Sequence, residues 1–383
     1  MIALGLAAAA CAQTSAEPVF RPHFRTSRLA PAVDAATVPP FETPASLACL
    51  YGLVVNVVPG CPVRGTIELP TGGSGIIAIV NAFDYPSAQH DLNVFSRQFG
   101  VPECNDDNPC FRKVFATGMP PQVDSLWAAN ASGMIEYAHA FAPGAHIVLV
   151  EAASASLKDL LTGVRVANSI IANSPGGKGM LLMPFGGPES PADKTFDEFL
   201  HTPGVIYISG NEGAPNFLEY PGTSPFVLTL GGTAVVRDDQ GMFVTEIAST
   251  FWAGDTSMNE PRPAFQDVIQ NIVHGRRGVP DVAFGSDPIH GAEIYFDSVP
   301  FGPISGWQFT GNVGFGEAAW GAILTLANSG AMSTQEELQL LYSHLGDSST
   351  MRDIKHGEAL GVKATAGWDF LTGIGVPVGL GGK

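Results

Sequence analysis

Residues 76–80 read Ile76-Ile77-Ala78-Ile79-Val80, a short and continuous apolar run. Four further runs of the same kind follow: Ile147 to Val150, Met180 to Met183, Val205 to Ile208 and Phe226 to Leu230. Short runs without polar alternation are the pattern of strands buried on both faces, as in a parallel sheet. Between them, Ser125 to Phe141 and Leu157 to Ala172 carry helical spacing; in the second, Leu160, Leu161, Val164 and Val166 to Ala167 gather near one face. Strand and helix alternate, which predicts an α/β fold with a doubly wound, mostly parallel sheet flanked by helices. Gly314 to Leu326 reads as a further apolar helix, packed closely through small residues. No repeat and no change of composition divides residues 45–383, so they are read as one large domain.

The chain has 383 residues, of which 45% are hydrophobic and 14% charged; that composition excludes a disordered acidic tail and a coiled coil. Its formal net charge of −17 argues against non-specific attraction to nucleic acid or anionic lipid. Residues 1–12, MIALGLAAAACA, are apolar, too short to span a bilayer, and end in the small-residue pattern Ala10-Cys11-Ala12, which predicts a secretory signal peptide. No Lys or Arg precedes the apolar run, as expected if the signal is truncated. Lipid attachment through Cys11 is the alternative. Residues 13–44, rich in Pro, Ala and Thr, are expected to form an extended N-terminal arm. No later apolar run reaches transmembrane length, so the expected location is secreted or periplasmic.

Without Cys11, the cysteines are Cys49, Cys61, Cys104 and Cys110. Two local disulfides, Cys49 to Cys61 and Cys104 to Cys110, are the simplest pairing in an oxidising compartment. Free or metal-bound thiols are the alternative, although no spacing matches a zinc knuckle.

Several segments in order resemble the sedolisin family of serine-carboxyl peptidases. They are TPASLACLYGL (43–53), IIAIVNAFDYP (76–86), DLNVFSRQFGVP (91–102), IEYAHAFAPGAHIVLVEA (135–152), ISGNEG (208–213), YPGTSPFVLTLGGT (220–233), RGVPDVAFGSDP (277–288) and GWDFLTGIGVP (367–377). The resemblance implies a subtilisin-like fold. It also implies a mechanism in which a serine attacks, a glutamate accepts its proton, an aspartate tunes the glutamate, and a second aspartate steadies the oxyanion. Aligned on Ile135 to Ala140, the glutamate and its partner fall on Asn130 and Met134. The oxyanion aspartate falls on Asn211, after Ile208-Ser209-Gly210, and the serine on Gly314, counted back from Trp320. Glycine has no side chain to acylate, and an asparagine retains only a hydrogen-bond donor for an oxyanion.

The resemblance also implies one structural Ca²⁺, held by Asp353 with the Ile354 carbonyl and by Asp369 after Gly367-Trp368. Oxygen ligands from two loops suit calcium; turn capping by both aspartates is the alternative. Glu317, one turn after Gly314, is the best candidate for a new carboxylate near the cleft, with a solvent-facing or salt-bridged role as the favoured alternative. Glu136 and His139 are a second acid/base candidate, with a packing role as the alternative. Asp281 is expected to order loops beneath the cleft.

The expected function is therefore that of an exported, sedolisin-like pseudopeptidase holding a peptide or small-molecule ligand in the inherited cleft. The alternatives are an enzyme of different chemistry in the same cleft, or residual serine-type endopeptidase activity.

Overall fold

The computed structural model describes residues 19–24, 41–65, 67–297 and 305–383. The expected signal peptide and Cys11 lie outside the described residues, as does most of the 13–44 arm.

The central sheet has the order β10-β9-β7-β5-β2-β4-β3. Its strands are β2 (Ile76–Ala82), β3 (Phe111–Phe115), β4 (His146–Ala152), β5 (Gly179–Leu182), β7 (Val205–Gly210), β9 (Leu228–Arg237) and β10 (Phe243–Ala248). All neighbours on this path run parallel except β10 on β9. A later strand, β13 (Val282–Gly285), also pairs parallel with β9. Side chains alternate between two cores along each strand. Ile77 and Ile79 of β2 and Ile147 and Leu149 of β4 enter one; Ile76, Ala78, Val80, Val148 and Val150 enter the other. This double burial is why the strands read as unbroken apolar runs.

Helix α4 (Leu157–Ala172) covers the second face through Leu160, Leu161, Val164, Ala167 and Ile171. The first face takes α3 (Ser125–Phe141), buried from Trp127 to Phe141, and α6 (Val313–Ala327), buried from Val313 to Thr325. Asp124 caps α3 by accepting from the Leu126 and Trp127 amides, and Asn312 caps α6 by accepting from the Phe315 amide. Gly321 lets α6 settle on β5: a Cβ there would lie 2.8 Å from Leu182 Cδ2. Both expected disulfides are formed, Cys49–Cys61 and Cys104–Cys110. The sulfurs that lie beside His139 are thus bonded to each other and are not available as metal thiolates.

Two buried ion pairs tie the strands to their surroundings. Arg277, on β12 (Arg276–Gly278), donates to both carboxylate oxygens of Asp281 at 2.7 and 2.6 Å, and Asp281 also accepts from the Thr229 amide and the Tyr342 hydroxyl. Asp281 thus joins β9, β12 and the helix Thr334–Ser343, two strands and a helix rather than the loops expected from the sequence. Arg237 forks onto Glu42 with both contacts at 2.7 Å. Breaking a fully buried pair leaves one charge uncompensated, at a cost of about 3–5 kcal/mol. Arg277→Met is accordingly expected to lower the unfolding free energy by about 3–5 kcal/mol in urea titrations. The same change at exposed Arg276 should cost no more than about 0.5 kcal/mol.

Candidate functional site

The carboxyl ends of β2, β5 and β7 open between α3 and the start of α6, the crevice in which α/β sheets place their ligands. Asn130 of α3 faces it and donates to the Pro184 carbonyl at 3.0 Å and to Asn81 Oδ1 at 3.3 Å, which anchors it to the ends of β5 and β2. A Cβ on Gly314 would lie 3.4 Å from Asn130 Oδ1, so these two positions adjoin. Asn211 follows β7 directly, and its amide donates to Ala253 O at 3.4 Å. Its neighbour Gly210 abuts α6, where a Cβ would meet Val313 Cγ2 at 2.3 Å and Glu317 Oε1 at 3.0 Å. The structure therefore sets Asn130 beside Gly314 and Glu317 beside Gly210, while the Asn211 side chain turns to Ala253 and Gly213.

Met134 departs from its expected place along the cleft. One helical turn beyond Asn130, it is buried in the main apolar core. Glu136 and His139 are set apart for the same reason: at 1.5 Å per residue they stand about 9 and 13 Å further along α3 than Asn130. Glu136 accepts from the Tyr295 amide and His139 bonds the Pro102 carbonyl at 2.7 Å. Both are packing residues, and only Glu317 of the three acid/base candidates lies at the cleft.

Composition did not disclose the occupant of the crevice. Residues Arg21–Pro22 form a strand, β1, paired antiparallel with β6 (Phe185–Pro188), in the register Arg21 with Gly186 and Pro22 with Phe185. The His23 amide donates to the Pro184 carbonyl and the Phe20 amide to the Ala155 carbonyl, each at 2.9 Å. The backbone oxygen of His23 lies 3.1 Å from the Cβ position of Gly314. His23 Nδ1 meets Glu317 Oε1 at 2.9 Å, and Nε2 lies 3.5 Å from Oε2 of Glu219, on β8 (Glu219–Tyr220). Arg21 clamps the same Glu219 at 2.6 and 2.9 Å. A sequence signal existed: Phe20-Arg21-Pro22-His23-Phe24 alternates apolar and basic residues with the period of a strand.

The charges are strongly coupled. Burial alone would lower the His23 pKa, but hydrogen bonds and charge from Glu219 and Glu317 outweigh it and raise the value to about 10. Burial also opposes ionisation of Glu219, yet His23 and Arg21 draw it down to about 2. At Glu317 burial wins, and despite His23 its pKa is pushed up to about 7. Around the cluster, the buried atoms Asn130 Oδ1 and Glu317 Oε2 have no hydrogen-bond partner among the described residues. Unsatisfied buried polar atoms are rare in folded proteins, and two beside Gly314 and Gly210 make this the candidate site.

No family model matches the sequence. A stretch of 189 residues is 29% identical to sedolisin of Pseudomonas sp. (strain 101), covering 44% of this chain and 31% of that protein. Among solved structures, Pseudomonas sedolisin, a serine-carboxyl proteinase complexed with two molecules of pseudo-iodotyrostatin, superposes with a TM-score of 0.69 at 18% identity, over 89% of this chain and 96% of that one. Sphericase superposes with a TM-score of 0.56 at 14% identity, over 87% and 96%. Fold and crevice thus define a subtilisin-like α/β protein with a single large domain. More particularly, the chain is similar in sequence, over 189 residues, and in fold to Pseudomonas sedolisin.

The coupled charges set a pH profile for stability. The contribution of Glu219, whose pKa is depressed, is present above 4.5 and lost as pH falls through about 2. Glu317, whose pKa is raised, loses its contribution as pH rises from 4.5 through about 7. His23 loses its own from 6.5 through about 10. Thermal stability is expected to peak near pH 4.5–5, between the Glu219 and Glu317 limbs, and to decline toward pH 9. His23→Ala should flatten the decline above pH 6.5 in a series of melting curves. An unchanged alkaline limb would separate His23 from the stability of the fold.

Proposed function

We propose that this protein is an exported pseudopeptidase, a sedolisin-fold binder that holds a peptide strand in its crevice without cleaving it. The observation that carries the reading is the seating of Val19–Phe24 against β6, with the His23 carbonyl oxygen 3.1 Å from the Cβ position of Gly314. Asn130, Met134, Asn211 and Gly314 are read as the four catalytic positions of the sedolisin mechanism, each replaced. Nucleophilic acyl transfer needs an oxygen or sulfur at Gly314 and a base beside it; the adjoining groups are the Asn130 and Asn312 amides and a backbone carbonyl. Amides hold a peptide by hydrogen bonds but do not take a proton from a nucleophile near neutral pH.

Export is supported by the two disulfides, which persist in oxidising compartments. Among the described residues no helix is long and apolar enough to cross a membrane. A second reading, an enzyme of different chemistry, is favoured by Glu317: a buried carboxyl with a pKa near 7 can hold or release a proton at working pH.

The proposal includes one structural Ca²⁺. Asp353 Oδ1 is buried without a hydrogen-bond partner, while Oδ2 accepts from the Gly367 amide at 2.8 Å. Asp369 Oδ1 accepts from the Leu371 and Thr372 amides, and Oδ2 from the Thr365 amide alone, which leaves it a lone pair. Two aspartates with spare acceptor capacity, joined by the carbonyls of Ile354 and Gly367, fit a hard cation that staples these loops. Millimolar Ca²⁺ is expected to raise the melting temperature of the unmodified protein and to leave Asp353→Asn unmoved. An equal rise in both would place the ion elsewhere.

Catalysis is tested with a peptide library at pH 3–8. The unmodified chain is compared with the restoration Asn130→Glu, Met134→Asp, Asn211→Asp and Gly314→Ser, made with and without His23→Ala because a side chain at 314 crowds the His23 carbonyl. Cleavage only by restored protein is the expected outcome. Cleavage by the unmodified chain would overturn the pseudopeptidase reading.

A further inference from the structure

A strand added to a sheet edge takes its affinity from backbone hydrogen bonds and its selectivity from the pockets that receive alternate side chains. Val19–Phe24 meets both conditions. Its backbone pairs with β6 and bonds Pro184 and Ala155, and Val19 bridges Ser156. Its side chains fill separate places in the domain. Arg21 and His23 turn toward Glu219, and His23 reaches Glu317 as well. Phe20 packs edge-on against Phe185 with ring centroids 6.1 Å apart, and its ring covers Gly187, where a Cβ would lie only 3.0 Å away. Phe24 is buried in the main core.

The receiving groups come from four separate elements of the domain: Glu317 from α6, Glu219 from β8, Asn130 from α3 and the edge of β6. His23 has no solvent exposure, and neither has the Glu317 side chain. Glu212 adds negative charge near Glu317 and Arg21. Two inward-facing carboxylates with little apolar purpose are costly unless a cation arrives between them. The imidazole of His23 supplies it, at the carboxyl edge of the sheet, 2.9 Å from Glu317 and 3.5 Å from Glu219.

We propose that the crevice is a groove selective for an extended peptide with a central histidine, a basic residue two positions before it and flanking aromatic residues, and that Val19–Phe24 is its resident occupant. The inference rests on the peptide-binder reading and names the ligand class. Seating is linked to proton uptake by His23, which faces Glu317 on α6 and Glu219 on β8, the latter shared with Arg21 on its own strand. A resident strand tethered to the body competes at an effective concentration on the order of millimolar, so an added peptide gains access when the resident is weakened.

The test uses the full chain and a fluorescent hexapeptide of the sequence Val-Phe-Arg-Pro-His-Phe, followed by anisotropy. The probe is expected to bind the Phe20→Ala/His23→Ala protein at least about ten-fold more tightly than the unmodified protein. Replacing the probe's histidine by alanine, or adding Glu317→Gln to the protein, should weaken binding about ten-fold or more, as for loss of a buried charged contact. Affinity should fall by up to about ten-fold per pH unit above pH 6.5. Equal binding to both proteins, or binding indifferent to the histidine, would overturn the proposal. Hydrogen exchange on the unmodified protein is a second, mutation-free arm: the Phe20 and His23 amides should be protected at pH 5.5 and lose protection factor toward pH 9. Exchange at free-peptide rates at pH 5.5 would overturn it too. Mass spectrometry of the recovered probe keeps the two readings apart. A bound probe that is cut sinks the pseudopeptidase reading and leaves the groove standing, while an intact probe that never binds sinks the groove.

Discussion

A charge withdrawn from water needs an opposite charge beside it, and in a chain with only 14% charged residues that requirement singles out a few contacts. Arg277 with Asp281 and Arg237 with Glu42 are completed inside the main body of the domain. The third, Glu219 and Glu317 around His23, is completed only by the segment that precedes it. With His23 in place, Glu219 is a strong acid shared between an imidazolium and a guanidinium. Without it, two carboxyl groups face each other across a dry crevice with no cation between them. The seated strand thus belongs to the electrostatic closure of the domain, and the geometry of the crevice follows from it.

That closure bears on what the crevice does. Peptide hydrolysis by acyl transfer requires a nucleophile, a base and a charge-stabilising donor in one constellation. Here Asn130, beside Gly314, carries an amide whose hydrogens are committed to Pro184 and Asn81. Such a residue fixes the walls of the crevice without moving protons. The groups around Gly314 suit retention of a strand, and the carboxyl with proton-holding capacity, Glu317, is occupied by the strand's own histidine.

The fold was legible because a parallel sheet buries both faces and leaves apolar runs that periodicity can find. Helices α3 and α4 have the bounds read from the sequence, Ser125–Phe141 and Leu157–Ala172, and α6 differs by one residue at each end. Strand β9 begins at Leu228, two residues later than Phe226. Both disulfides were legible from their short separations. The site was only half legible. Glu317 could be singled out because spacing along one helix fixes a direction, but the same rule does not tell a crevice from a core, and Met134, Glu136 and His139 proved to be packed. His23 and Glu219 were not legible: 196 positions separate Glu219 from His23 and 294 separate His23 from Glu317, and one sequence holds no local signal that joins them. The five-residue alternation of Phe20–Phe24 was too short to stand out from an arm rich in Pro, Ala and Thr.

The glycine at 314 connects these threads. A Cβ there would stand 2.9 Å from Asn312 Oδ1 and 3.1 Å from the His23 carbonyl, both tighter than ordinary van der Waals contact. Asn312 is not free to yield cheaply, since its Oδ1 caps α6 by accepting from the Phe315 amide at 2.8 Å. The His23 carbonyl is held by the β1–β6 pairing on one side and by the imidazole clasp on the other. Any side chain at 314, a serine nucleophile included, therefore competes with the strand for the same space. A glycine at 314 and the seating of Val19–Phe24 go together: the space that a side chain at 314 would take lies against the backbone of the seated strand.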